Sequence, residues 1–545
     1  MGSVTRRRAL AGCLLACLVV TSAACSSSTH QSQAPSSTSA ESDQTGQVPS
    51  QEHGAQPGAP VAPTARICGS PMLRGGPTTA PAGAVAVPAG NDGTMNLDAP
   101  GVYWFAPGVH VIGSNEFSQI IPSNGSTYIG APGAILDGQG TNREAFAQHA
   151  ANVTIEYLTI ENFVPVENEG IVNHDDGAGW TIKYNTIGPN GGTGGGVLLG
   201  THNTLSYNCL THNFQNGFNS YSPTGNTGIA VDHNEIASNG NVNQENSCGC
   251  DGGGKFFYTT DSSFIDNYVH GNVVGLWGDT DNAGITITGN YISNSVGPGI
   301  IYEISYNALI KDNALIDNGW GAGPYSSDFP EGAIYVSNSG GDSRVAGGLY
   351  SSLDIIDNVF TNNWGGVVEW EDSNRYCGSE NSGTCTLADP AVARLTDSAG
   401  PCGTSGYCGT YTSNSCTPSA ITQSGAGSAL YWDCRWRTQN VRVTYNTFTL
   451  DPAVIPKCEA GKAGNATGTQ CGYSGTFSQF GQAPYAGQAI GQAIAFDQFN
   501  VFANNTYVGP WRFEAPEQGP SATLTFSQWR AKPFHQDAGS TISGD

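Results

Sequence analysis

The 545-residue sequence is short of charge, and of positive charge most of all. Charged residues make up 12% of the chain, and 20 Lys and Arg stand against 44 Asp and Glu, a formal net charge of −24. Such a chain repels polyanions at long range, which excludes nucleic acid as a partner held by a basic surface. An acidic polysaccharide would need a local basic patch or bound cations. No helix-length periodic segment appears, nor the leucine spacing of a leucine-rich-repeat horseshoe, so that solenoid is set aside. H-E-x-x-H is absent and the histidines are scattered, so no metal ligand is assigned. "GCDGGGKF" satisfies G-x4-G-K only formally, because Phe256 stands where a phosphate-binding loop needs Ser or Thr and no helix pattern follows.

The ends and the cysteines set the compartment. Arg6, Arg7 and Arg8 precede the apolar run "ALAGCLLACLVVT", too short to span a bilayer, so residues 1–25 read as an export signal. The run ends in "SAAC", which resembles a lipobox, with Ser22 where leucine is usual; the resemblance implies lipidation of Cys25 and a lipoprotein held on the outer face of the membrane. Residues 26–65 are Ser, Thr, Gln, Pro and Gly with almost nothing apolar, a disordered tether. Of fifteen cysteines, Cys13, Cys17 and Cys25 leave with the leader, and the remaining twelve suit disulfides in an exported chain. Six of them crowd into a Gly, Ser and Thr-rich insertion at about 375–435 without paired C-x-x-C knuckles, which argues against zinc.

The middle of the chain repeats itself: "WTIKYNTI", "NTLSYNCL", "GIAVDHNEI", "SSFIDNYV", "ITITGNYI", "ALIKDNAL", "SLDIIDNVF" and "VRVTYNTF". Each is a short alternating strand, an asparagine, and another apolar pair. The asparagines are Asn185, Asn208, Asn234, Asn267, Asn290, Asn313, Asn358 and Asn446, spaced 23, 26, 33, 23, 23, 45 and 88 residues apart. Units of that length with period-two strands suit coils that stack as parallel strands, with inserted loops making the longer gaps. Stacked asparagine amides would satisfy one another and the turn backbone.

These repeats, with "GVYWFAPGVHVI" and "STYIGAPGAILDGQG" at the start and "FANNTYVGPW" near the end, resemble the right-handed parallel β-helix (pectin-lyase-like) family over about residues 83–535. The resemblance implies an all-β solenoid with disulfide-rich loops over residues 66–545. Candidate caps are residues 66–100 and the tail "LTFSQWRAKPFHQDAGS". Pectate lyases and polygalacturonases share this architecture, but the arginine pattern of the former and the "NTD" and "GHG" elements of the latter are missing, so the catalytic residues of neither carry over.

Aligned on the glycine that opens the strand, "GLWGD" lies over "GIIYE", which puts Asp279 beside Glu303 on adjacent coils. Neighbouring strands lie about 4.8 Å apart, so outward carboxyls would stand roughly 5 Å from each other, a spacing that suits a retaining glycosidase or a divalent cation. Counting from the preceding asparagines leaves one residue of play, and one slip would turn a side chain to the other face. Lys255 joins Asp279 and Glu303 as the candidate catalytic set. Trp277, Tyr302, Tyr258, Glu369 and Trp370 are expected to bind substrate along the same strip, where aromatic faces cover sugar C–H surface and carboxylates hold hydroxyls. "NHDDGAG" at 173–179 reads as a plain turn.

The expectation is an exported, cell-surface, monomeric β-helix that acts on a polysaccharide by carboxylate acid/base chemistry, as a glycoside hydrolase or as a lyase or epimerase. Calcium is the cofactor left open. The alternative is a non-catalytic glycan-binding or envelope protein using the same strip.

Overall fold

The structure is a computed structural model that describes residues 66–222, 224–240, 251–323, 330–343, 345, 350–372, 437–459, 471–479, 488–516 and 522–544. The leader, the tether, Cys25, and the cysteine-rich insertion lie outside the described residues. All described residues fall in one unit, Ala59–Gln244 with Asp251–Asp545.

Three parallel sheets make up this unit. The first runs from Val85–Val87 to Val501–Ala503, the second from Gly90–Asn91 to Thr541–Ser543, and the third from Gly170–Val172 to Ala522–Leu524. The first coils give strands to the first two sheets only, and from Gly170 onward strands of the third sheet join them in turn; every described pairing is parallel except that of Arg512–Ala515 with Ala522–Leu524. The alternating pattern explains the interior. In Thr181–Lys183 the middle Ile182 is fully buried while its neighbours are half-buried, and Ile182 pairs with Ile155 and Leu205 one coil to either side.

The corner between the first two sheets follows from the residue before each asparagine. Tyr184, Tyr207, His233, Asp266, Asp312 and Asp357 all take left-handed φ between 52° and 59°, a conformation of some cost for a residue with a Cβ. The turn directs the next side chain inward, where its amide repays that cost. The Oδ1 atoms of Asn208, Asn234, Asn267, Asn290 and Asn313 each accept the backbone N–H of the asparagine one coil earlier at 2.9–3.0 Å. The ladder crosses the long insertions, from Asn313 to Asn358 to Asn446, and continues to Asn505. A second ladder, Asn190–Asn213–Asn239–Asn272 and then Ser295–Asn318–Asn363, lines the corner between the second and third sheets.

At the C-terminal end the helix Phe526–Arg530 opens with a capping box between Thr525 and Gln528. Its Trp529 is fully buried, stacks on Phe513, and donates its indole N–H to Asp537 at 2.8 Å. At the other end Leu97 enters the core and accepts the Tyr128 hydroxyl on its carbonyl at 2.9 Å. Residues 66–70 instead form a strap along the outside of the second sheet. Cys68 is bonded to Cys209, 141 residues on, its N–H donates to Glu235 Oε2 at 2.8 Å, and Arg66 lies over the Tyr268 ring. Closing a loop of that length removes about 5 kcal/mol of unfolded-state entropy. Replacing both cysteines by serine should therefore lower unfolding stability by roughly 3–5 kcal/mol, read from the urea midpoint at constant m-value.

Candidate functional site on the third sheet

The register of the third sheet resolves the one-residue play in the sequence. Asp279 pairs directly with Glu303, and Trp277 with Ile301. The extra residue of the later coil is absorbed in the turn before Gly299, where Gly297 N–H reaches Val273 O and Pro298 O receives the Gly275 N–H.

Alternation then sorts three neighbouring columns. Phe256, Gly278, Tyr302, Val336 and Glu369 form the middle one, and its apolar members belong to the main core. The flanking columns, Lys255–Trp277–Ile301–Tyr335–Val368 and Phe257–Asp279–Glu303–Ser337–Trp370, face the other way. Their apolar members Ile301, Tyr335, Val368 and Trp370 form a separate cluster with Phe477 and the Cys458–Cys471 disulfide.

Four candidates thus meet on the outer face. Lys255 Nζ lies 2.7 Å from Asp279 Oδ2, 4.5 Å from the centroid of the Trp277 ring and 5.4 Å from that of Phe257. Asp279 Oδ1 accepts the Thr280 hydroxyl at 2.8 Å. The Trp277 indole N–H donates to Glu303 Oε1 at 3.0 Å. Lys255, Asp279 and Glu303 are 4%, 8% and 9% exposed, so the charged pair is largely desolvated and the surrounding aromatic faces supply much of what water would give the ammonium. Tyr258 follows at a left-handed φ of 53°, its ring 4.3 Å from Phe257 and 5.9 Å from Tyr221. Tyr221 is 41% exposed and is a member of this patch that sequence reading missed. Its signal was "FNSY" one coil before "GKFFY", since Ser220 pairs with Phe256.

Three expectations for substrate contact are corrected. Tyr302 points inward, because Gly278 before it lacks a side chain and the Tyr302 ring fills that space; a Cβ on Gly278 would stand 2.6 Å from it. Its hydroxyl donates to Tyr306 O at 3.1 Å, and burial pushes the phenol far up. Glu369 also lies in the inward column. Trp370 faces outward but is 5% exposed within the second apolar cluster.

Glu369 has consequences for stability. Both of its carboxyl oxygens are buried without a hydrogen-bond partner, and burial holds its pKa well above the ordinary value. Burial also pushes the Glu331 carboxyl up to about 8 from 4.5. Below the unfolded pKa both states hold the proton. As pH rises from about 4.5 the unfolded chain releases it first, and stability drains by up to about 1.4 kcal/mol per pH unit until the folded group ionises near 8. Glu331→Gln should match wild type in urea unfolding at pH 5 and exceed it at pH 8; parallel curves at both pH values would refute the assignment.

Residues 169–349 match a family model described as a right handed beta helix region, and with the three stacked sheets this makes the described unit a right-handed parallel β-helix. Among solved structures the chain is similar to the A-module of a mannuronan C-5 epimerase from Azotobacter vinelandii, at 16% identity over 53% of this chain and 82% of that one, TM-score 0.33. It is also similar to a mannuronic acid specific polysaccharide family 6 lyase from human gut microbiota, at 12% identity over 85% of each chain, TM-score 0.39. A third is the Dettilon tailspike protein, at 10% identity over 84% of this chain and 68% of that one, TM-score 0.30. Comparison with curated proteins found no match.

Proposed function

We propose that the outer face of the third sheet acts on a uronate-containing polysaccharide by removing the proton α to the sugar carboxylate, as a lyase or epimerase does. The observation that carries this reading is Lys255, a cation held at 2.7 Å by Asp279 and seated against Trp277 and Phe257. With both oxygens engaged by Lys255 and Thr280, Asp279 is a positioning group rather than a glycosidase nucleophile, which disfavours the retaining hydrolase. Lys255 would neutralise the uronate carboxylate and the charge that develops on it. Glu303, oriented by Trp277, would accept the proton. In elimination the released electron pair forms the ring double bond and expels the 4-linked oxygen, which takes a proton from water; in epimerisation a proton returns to the opposite face.

The test is a panel of polymannuronate, polygalacturonate and hyaluronan, followed by ultraviolet absorbance for the conjugated double bond and by deuterium uptake from heavy water for epimerisation. New reducing ends without either signal would establish hydrolysis instead. Because the chain carries −24, kcat/KM on a polyuronate should rise as salt is raised toward 0.1 M, where the screening length is about 10 Å. A second reading, glycan binding without turnover, is favoured by the low exposure of Lys255; binding to the panel with no product would establish it.

Export as a monomer lipidated at Cys25 accompanies this proposal. Its support is the leader pattern and the Cys68–Cys209 disulfide, which belongs to an oxidising compartment. Cys25→Ala should release the protein from membranes into the medium.

A further inference from the structure

The turn after the strand Gly170–Val172 belongs to "NHDDGAG" at 173–179. The isolated bridge between Phe146 and Val172 sets it beside the preceding coil. That juxtaposition gathers Glu144 from one coil with Glu169 and His174 from the next, so that one ligand atom from each lies within 4.8 Å of the others.

Two of these side chains lack what a buried polar group ordinarily has. Glu144 is 5% exposed, and its Oε1 faces His174 Nδ1 at 3.6 Å, beyond hydrogen-bond length. The Nδ1 atom is itself buried with no hydrogen-bond partner. A nitrogen and an oxygen sharing one tetrahedral ion at about 2.1 Å would stand about 3.4 Å apart. A carboxyl and an imidazole that face each other across 3.6 Å without bonding therefore leave the gap such an ion would fill.

The third ligand is already fixed. Arg143 grips Glu169 through Nε to Oε2 at 3.0 Å and through Nη2 to Oε1, and Val166 N–H reaches the same Oε2 at 3.1 Å. Arg143 also reaches Glu116 at 3.2 Å, so the immediate group holds three carboxylates against one guanidinium. This arrangement orients a metal ligand from outside, as supporting hydrogen bonds do at metal centres, while leaving a negative surplus. Asp175 accepts the Gln148 N–H on Oδ2 and holds Oδ1 3.9 Å from His174 Nε2, so it braces the imidazole from its far side, and water would complete the coordination.

We propose that Glu144, Glu169 and His174 bind a divalent d-block cation of the zinc class, which clips two successive coils together. The imidazole argues against calcium and magnesium, which take oxygen ligands. The site goes beyond the proposed polysaccharide chemistry and stands whether or not that chemistry does.

The test uses the full chain, made metal-free by chelator and titrated with Zn²⁺, Co²⁺ and Ca²⁺ against a competing chromophoric chelator. One equivalent of Zn²⁺ is expected to bind at least 100-fold more tightly than Ca²⁺ and to raise the thermal midpoint. Glu144→Gln and His174→Ala should each weaken Zn²⁺ binding by 30-fold or more, with the circular dichroism of the metal-free protein unchanged. Absence of stoichiometric binding, equal affinity for Ca²⁺, or unaltered affinity in both variants would overturn the assignment. Should a variant fail to fold, pulsed electron paramagnetic resonance of the wild-type Co²⁺ complex decides: coupling to one imidazole nitrogen supports the site, and none or several refutes it.

Discussion

Truncating Asn267 to alanine is expected to cost about 3–6 kcal/mol, the largest loss of stability for any single change considered. Its Oδ1 accepts both the backbone N–H of Asn234 at 3.0 Å and that residue's side-chain amide at 3.1 Å. Its own amide donates to Val231 O at 3.0 Å and to Asn290 Oδ1 at 3.1 Å. Four bonds go at once, and the stranded Asn234 N–H and Val231 carbonyl sit in an interior where Asn267 is 1% exposed. Each unsatisfied buried group costs about 1–3 kcal/mol, more than the net worth of the bond it lost. Serine should recover part of the loss, because Ser540 serves as the rung after Asn505 in this same ladder, its hydroxyl accepting the Asn505 N–H at 2.8 Å. Urea unfolding with the disulfides intact measures both variants. A loss below about 1 kcal/mol for Asn267→Ala would mean that water replaces the amide and that the ladder is not a stability element. In a solenoid a broken interior rung also weakens coupling between its halves, so the alanine variant should unfold over a broader range than wild type.

The same ladder shows why the architecture was legible before any coordinates. An asparagine every 23 residues is a demand that the backbone makes once per coil, so it survives the insertions that stretch the interval to 45 and 88. The pairing of Asp279 with Glu303 was readable for a related reason, since the glycines that open both strands mark the same corner. The direction of Tyr302 and Glu369 was not read correctly. An aromatic residue suits either face of a strand, and the deciding fact was the vacant position at Gly278 one coil earlier. A glutamate reads as outward by default because burial of a charge is costly; Glu369 lies inward all the same, and that burial raises its carboxyl well above the usual range. The group of Glu144, Glu169 and His174 was hidden for another reason. Its members are 25 and 5 residues apart in sequence, and only the bridge from Phe146 to Val172 reveals that the first interval spans one coil. Tyr221 shows the limit of reading one strand alone, because its role depends on Phe257 of the following coil.

Replacing Lys255 by methionine is expected to reduce turnover of a uronate polysaccharide by 10³-fold or more, the scale at which loss of electrostatic stabilisation and of a positioned charge is felt. Activity alone does not separate chemistry from structure, because Lys255 and Asp279 are both nearly buried. Removing one partner of such a pair leaves the other as an uncompensated charge at a cost of about 3–5 kcal/mol, so Asp279→Asn should lose stability as well as activity. The decisive variant carries Lys255→Met and Asp279→Leu together. An apolar pair of similar volume beside Trp277 and Phe257 needs no counter-charge, and exchanges of this kind are often neutral or stabilising. The double variant should therefore unfold near the wild-type urea midpoint while remaining inactive. Activity that returned with stability would show the pair to be a fold element only, and would move the chemistry elsewhere on the sheet. Glu303→Gln completes the comparison: it keeps the shape and an acceptor for the Trp277 indole but cannot take a proton. It should thus retain polysaccharide binding and stability while losing product formation, an outcome that a purely structural role for the carboxylate would not give.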